Sequence, residues 1–197
     1  MNRKLIIIAC SIFRKELEFL QSRRNMDVPI VYLDSMLHMQ PVLLRKKLDE
    51  TLQAYRDFKI ILLYGDCHAR MLDYEKNPNI LRSPGINCCE ILLGSEKYRS
   101  LRKEGAFILL PEWINRWKEV FVDYMGFKNA QTAKSFMGEM HHKLVFVDTG
   151  LHDRESLPFD EISEFLGLPM EYCLKNTDEL EKILDNMMKE SNTSTHG

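Results

Sequence analysis

The chain has no long apolar run, no excess of positive charge and no glycine-rich phosphate loop, and each absence removes a class of function. Its longest apolar run near the start, Leu5 to Cys10, falls far short of the roughly 20 residues that span a bilayer, and no small-residue cleavage signal follows it. A cytoplasmic protein with no membrane partner is therefore expected. Basic residues are scattered and the net charge is −2, so the basic stripe that binds nucleic acid is missing and no nucleic-acid partner is expected. Neither G-x-G-x-x-G nor G-x-x-x-x-G-K-[ST] occurs, which leaves a nucleotide cofactor without a cradle. The five cysteines form no compact C-x-x-C signature, and their odd number without a secretory signal points to free thiols.

What is present is an alternation of apolar runs and helical periods. With 197 residues and 45% hydrophobic content, the chain can bury one good core, and a single α/β domain over residues 1–190 is expected, with a frayed polar tail over 191–197. Lys4 to Ala9, Val28 to Leu33, Phe58 to Tyr64, Ala106 to Leu110 and Lys143 to Val147 read as strands, with an edge strand at Met170 to Leu174. Phe58 to Tyr64 shows no polar alternation, the mark of a strand buried on both faces. Helical spacing appears at Phe13, Leu17 and Leu20, and again from Pro41 through Leu52. It recurs over Glu90 to Lys103, Pro111 to Tyr124, Ala130 to His141, Asp160 to Leu166 and Leu180 to Met188. Asp73 to Gly85 is rich in turn residues and reads as a loop over the sheet edge. No hairpin turn separates the apolar runs. The expected fold is a mostly parallel sheet of about five strands with helices on both faces, a Rossmann-like three-layer sandwich.

Three segments deliver cysteine where an apolar run stops: Ile8-Ala9-Cys10, Tyr64-Gly65-Asp66-Cys67 and Gly85-Ile86-Asn87-Cys88-Cys89. Carboxyl ends of parallel strands are where open α/β sheets build their sites, so these thiols are candidates to converge. Cys10, Cys67 and Cys88 form the primary set. His38, after the second strand, is a candidate fourth ligand, with His68 and Cys89 as substitutes and solvent as a further choice. Three thiolates with an imidazole suit zinc, and thiolates also hold iron–sulfur clusters. Buried free cysteine also behaves as a small hydrophobe, which is the competing reading and the preferred one for Cys173. Asp66, Glu90 and Asp148 sit near strand ends or helix starts and are candidate acid–base groups, or only terminators of those elements. Trp113 and Trp117 read as core, and His141-His142 as a surface turn.

Residues in this order resemble one family. Ile8-Ala9-Cys10, the stretch from Leu33 through His38 to Pro41, Leu63-Tyr64-Gly65-Asp66-Cys67, Cys88 ahead of Leu92-Leu93-Gly94-Ser95, and Pro111-Glu112-Trp113 are similar to the pattern of the domain-of-unknown-function 1638 family of bacteria and archaea. The resemblance places Cys10, His38, Cys67 and Cys88 on the family's matching positions. Asn87 and His68 depart from the Asp and Gly that many relatives carry there. Some members resemble companions of corrinoid-dependent methyl-transfer systems. That implies one-carbon metabolism and a methyltransferase or corrinoid partner, with zinc-assisted methyl or sulfur transfer as the leading expectation. An iron–sulfur or dithiol redox protein and a non-catalytic accessory protein are the alternatives.

Overall fold

Four consecutive isoleucine and alanine side chains, Ile6 to Ala9, are almost fully enclosed, so both faces of the first strand are covered. A strand buried on both faces has no use for polar alternation, which is why its sequence shows none. The computed structural model describes residues 3–193. In chain order its elements are β1 (Leu5–Cys10), α1 (Arg14–Arg24), β2 (Ile30–Leu33), α2 (Pro41–Ala54), β3 (Lys59–Leu63), β4 (Ile80–Arg82) and α3 (Cys88–Leu93). There follow α4 (Ser95–Lys103), β5 (Ala106–Leu109), α5 (Pro111–Asn115), α6 (Ala130–Met140), β6 (Lys143–Asp148), α7 (Phe159–Leu166), β7 (Met170–Leu174) and α8 (Asp178–Thr193).

The class is α/β with parallel pairing throughout, as the alternating pattern implies. The strands, however, form two sheets, a four-stranded one in the order β2-β1-β3-β4 and a three-stranded one in the order β5-β6-β7. The chain correspondingly clusters into two compact units, one of residues up to Leu92 with those from Thr177 on, the other Leu93–Asn176. The sequence reading expected one sheet of about five strands, where the strands divide between two.

In the first unit β1 pairs with both β2 and β3, Ala9 lying opposite Tyr32 on one side and Leu63 on the other. The connection runs from β1 out to β2 and then back across to β3, so the strand order reverses between β1 and β3. That switch point is where α/β sheets leave a crevice beyond their strand ends. α8 returns to this unit and packs on β3. Arg23 and Arg24 of α1 pair with Glu181 and Asp185 of α8.

Three elements differ from the sequence reading. The segment Asp73 to Gly85, read as loop, contains a 3-10 turn and β4, whose three residues pair with Ile60, Ile61 and Leu62. The single helix expected over Glu90 to Lys103 is broken at Gly94, whose φ of 80° suits glycine and ends α3. α8 continues to Thr193, with Ser191 buried, where a frayed tail was expected from Ser191; residues 194–197 lie outside the described residues.

The second unit packs aromatic rings over its sheet. Phe146 of β6 meets Phe159 of α7 at 4.8 Å between centroids, and Trp117 meets Phe165 at 5.1 Å. The helix expected over Pro111 to Tyr124 stops at Asn115, and a π-helical turn takes up Glu119–Tyr124. His141 is buried with its ring on Phe107, rather than on a surface turn. Among the described residues no helix is long and apolar enough to cross a membrane.

Candidate functional site

All four strands of the first sheet contribute to one edge, because parallel strands end on the same side. Cys10 is the last residue of β1 and the cap of the 3-10 turn Ser11–Phe13. Ser11 Oγ accepts the Ser35 N–H at 2.9 Å, joining the end of β1 to the end of β2. Just before Ser35, Asp34 Oδ1 accepts the Met36 N–H at 2.9 Å and caps the 3-10 turn Ser35–Met39. That turn presents His38.

After β3 the chain passes through Tyr64-Gly65-Asp66 to Cys67. The Asp66 N–H donates to Ile86 O at 2.8 Å, which docks this segment on the loop that follows β4. Gly65 permits the approach: a Cβ there would lie 2.4 Å from Asn87 Cα, 2.6 Å from Asn87 N and 2.7 Å from Ile86 O. Asn87 caps α3 by accepting the Glu90 N–H at 2.9 Å, and Glu90 Oε2 accepts the Ile86 N–H at 2.8 Å. Cys88 thereby becomes the first residue of α3, set against Cys67.

The outcome is a chain of hydrogen-bonded groups running from His38 to Cys67, Cys88 and Cys10. The Cys88 hydrogen bond, helped by His38, its charge and the Gly65 backbone, holds the Cys67 thiol down to about 5 against the opposing effect of burial. Cys88 answers in the opposite direction: its bonds to Cys10 and Cys67, together with desolvation, push its thiol up, so it keeps a proton to share. The hydrogen bond to Cys67 raises His38, although burial works against it. Opposite charges favour each other's ionised forms, so this contact favours an imidazolium beside a thiolate. His38 is exposed, while Cys10 and Cys67 are buried. His38 is therefore the solvent-facing member.

The remaining candidates have other surroundings. His68 Nδ1 accepts the Arg70 N–H at 3.2 Å and its ring stands edge-on to Tyr74, while its Nε2 is buried without a hydrogen-bond partner among the described residues. Cys89 is half-buried beside Cys88 on α3, and Cys173 is buried on β7 of the second unit. Asp66 pairs with Arg82 at 2.9 Å, Glu90 serves the α3 start, and Asp148 accepts the Gly150 N–H at 2.8 Å. Each of the three carboxylates thus has a structural contact.

Among the described residues, no three His, Cys, Asp or Glu form a group that could hold a metal ion as they stand. The donors fit zinc or iron by type, whereas their arrangement is a serial chain of proton-sharing pairs.

Tyr64 is 1% exposed, and its hydroxyl has no hydrogen-bond partner among the described residues. Leaving a buried hydroxyl unmatched costs about 1–3 kcal/mol. The available signal was a phenol directly after the apolar run Ile60 to Leu63.

A family model described as protein of unknown function (DUF1638) matches residues 32–184. The chain belongs to that family. His38, Cys67 and Cys88 lie inside the DUF1638 match, and Cys10 precedes it. No curated protein and no solved structure matches the chain significantly.

Proposed function

We propose that this chain acts through a thiolate at Cys67, prepared by Cys88 and His38, and that its substrate or ligand is a thiophilic species brought to the carboxyl edge of the four-stranded sheet. The observation that carries the reading is the placement of Cys67 in hydrogen-bond contact with both the Cys88 thiol and the His38 imidazole. A sulfur ionised at neutral pH is both the nucleophile and the metal ligand of cysteine chemistry. Methyl or sulfur transfer in one-carbon metabolism, beside a methyltransferase or corrinoid partner, is the setting that the sequence resemblance suggests.

A second reading is that the same thiolate belongs to a metal centre. It is favoured by the donor set itself: Cys10, Cys67 and Cys88 with His38 are the ligand types of a Cys3His zinc site. Bound there, zinc would supply thiolate stabilisation or Lewis acidity. No three donors are gathered for a metal among the described residues, so loading requires them to release protons and regroup. A dithiol redox role uses the Cys67 and Cys88 pair without a metal.

The deciding experiment is elemental analysis of protein purified without oxygen or a metal-binding tag, followed by mass-spectrometric mapping of alkylated cysteines. The expected result is metal-free protein in which Cys67 is modified first. About one zinc per chain, lost in Cys67→Ser and Cys88→Ser, would replace the first reading by the second. Iron with matching sulfide would move the site to cluster chemistry.

A further inference from the structure

Tyr64 follows β3 directly. It stands one residue beyond the Ala9–Leu63 pair and directly before Gly65, at the same strand ends that carry Cys10 and Cys67. The phenol feels the charges of Cys10, Cys88, Cys67 and Asp34, the groups at the strand ends around it. Its backbone is fixed: the Tyr64 N–H donates to Ser83 Oγ at 3.1 Å, and the Ser83 hydroxyl donates back to Tyr64 O at 3.1 Å. Ser83 is fully buried. A donor held this firmly, enclosed and without an acceptor, is prepared for one that arrives from outside.

We propose that Tyr64 is a binding residue of the thiolate site, its O–H donating to an acceptor oxygen on the molecule whose thiophilic atom meets Cys67 Sγ. The inference rests on the thiolate reading and names the substrate class: a small molecule with a carbonyl or similar oxygen one or two bonds from its electrophilic atom. An apolar electrophile satisfies the sulfur and leaves the phenol unmatched.

The test compares two reagents on the full chain and on Tyr64→Phe, which removes only the hydroxyl. With iodoacetamide the Cys67 thiolate forms a bond to the methylene carbon and iodide leaves with the bonding pair; the amide oxygen is available to Tyr64. Iodoethane reacts in the same way but has no acceptor. Rates at Cys67 are followed by peptide mass spectrometry. Tyr64→Phe is expected to slow iodoacetamide about tenfold, the factor that one good hydrogen bond contributes, and to leave iodoethane unchanged. It should melt at the wild-type temperature or above, since the lost hydroxyl had no partner. Equal rates in both proteins with both reagents would overturn the inference, and so would equal slowing of both reagents. If the pH midpoint of wild-type Cys67 alkylation lies in the ordinary thiol range of about 8.5, the thiolate reading itself fails, whatever Tyr64 does.

Discussion

Gly65→Ala is expected to destabilise the protein by about 3 kcal/mol and to separate Cys67 from Cys88. The added methyl carbon meets the Asn87 Cα at 2.4 Å and the Ile86 carbonyl at 2.7 Å, all of it backbone, so no side-chain rotation relieves the overlap. Relief requires the loop before α3 to withdraw. Withdrawal lengthens the Asp66 to Ile86 hydrogen bond and carries Cys88 with it. Chemical denaturation of the variant measures the first effect, and the pH midpoint of Cys67 alkylation measures the second. A variant of wild-type stability would show that the 64–67 and 86–88 segments are not fixed against each other.

Cys88→Ala is expected to move that midpoint up from about 5 toward the ordinary thiol range of about 8.5, because the strongest group lowering it is gone. His38→Gln should move it in the same direction by less. The midpoint is the useful readout, since the rate at one pH mixes thiolate fraction with a nucleophilicity that grows as the pKa rises. Stability follows with a defined sign. Cys67 loses its proton at lower pH in the folded chain than in the unfolded one, so its contribution is complete above the ordinary thiol range and fades as pH falls toward 5. His38, raised by the same contact, contributes in the opposite sense: fully below its ordinary value of 6.5, and less as pH climbs through its raised one. Cys88→Ala should flatten the alkaline rise in stability.

Much of this edge was legible because parallel topology does the assembling. Once Ile6 to Ala9 and Ile60 to Leu63 are read as buried strands, their carboxyl ends must lie together, and Cys10 and Cys67 come with them. His38 and Cys88 followed from their positions after the second strand and before an apolar helix. β4 was not legible, since its three residues are flanked by Asn77-Pro78-Asn79 and Ser83-Pro84-Gly85 and include a charged Arg82. Arg82 tolerates a strand there because Asp66 at 2.9 Å and Glu75 at 2.6 Å neutralise it. The division into two sheets was equally hidden: it depends on which strands pair, and periodicity within a strand carries no such information. Gly65 and Tyr64 were read as the end of a strand. Their parts in the site come from what lies opposite them in space, Asn87 for one and the thiols for the other.

The measurement that bears most directly on the thiolate centre is the ionisation of Cys67 in the folded wild-type protein, followed by ultraviolet thiolate absorbance against a Cys67→Ser control. The account predicts a transition near pH 5, present in the wild type and missing from the control. A transition at about 8.5, in the range of an ordinary cysteine, would contradict it.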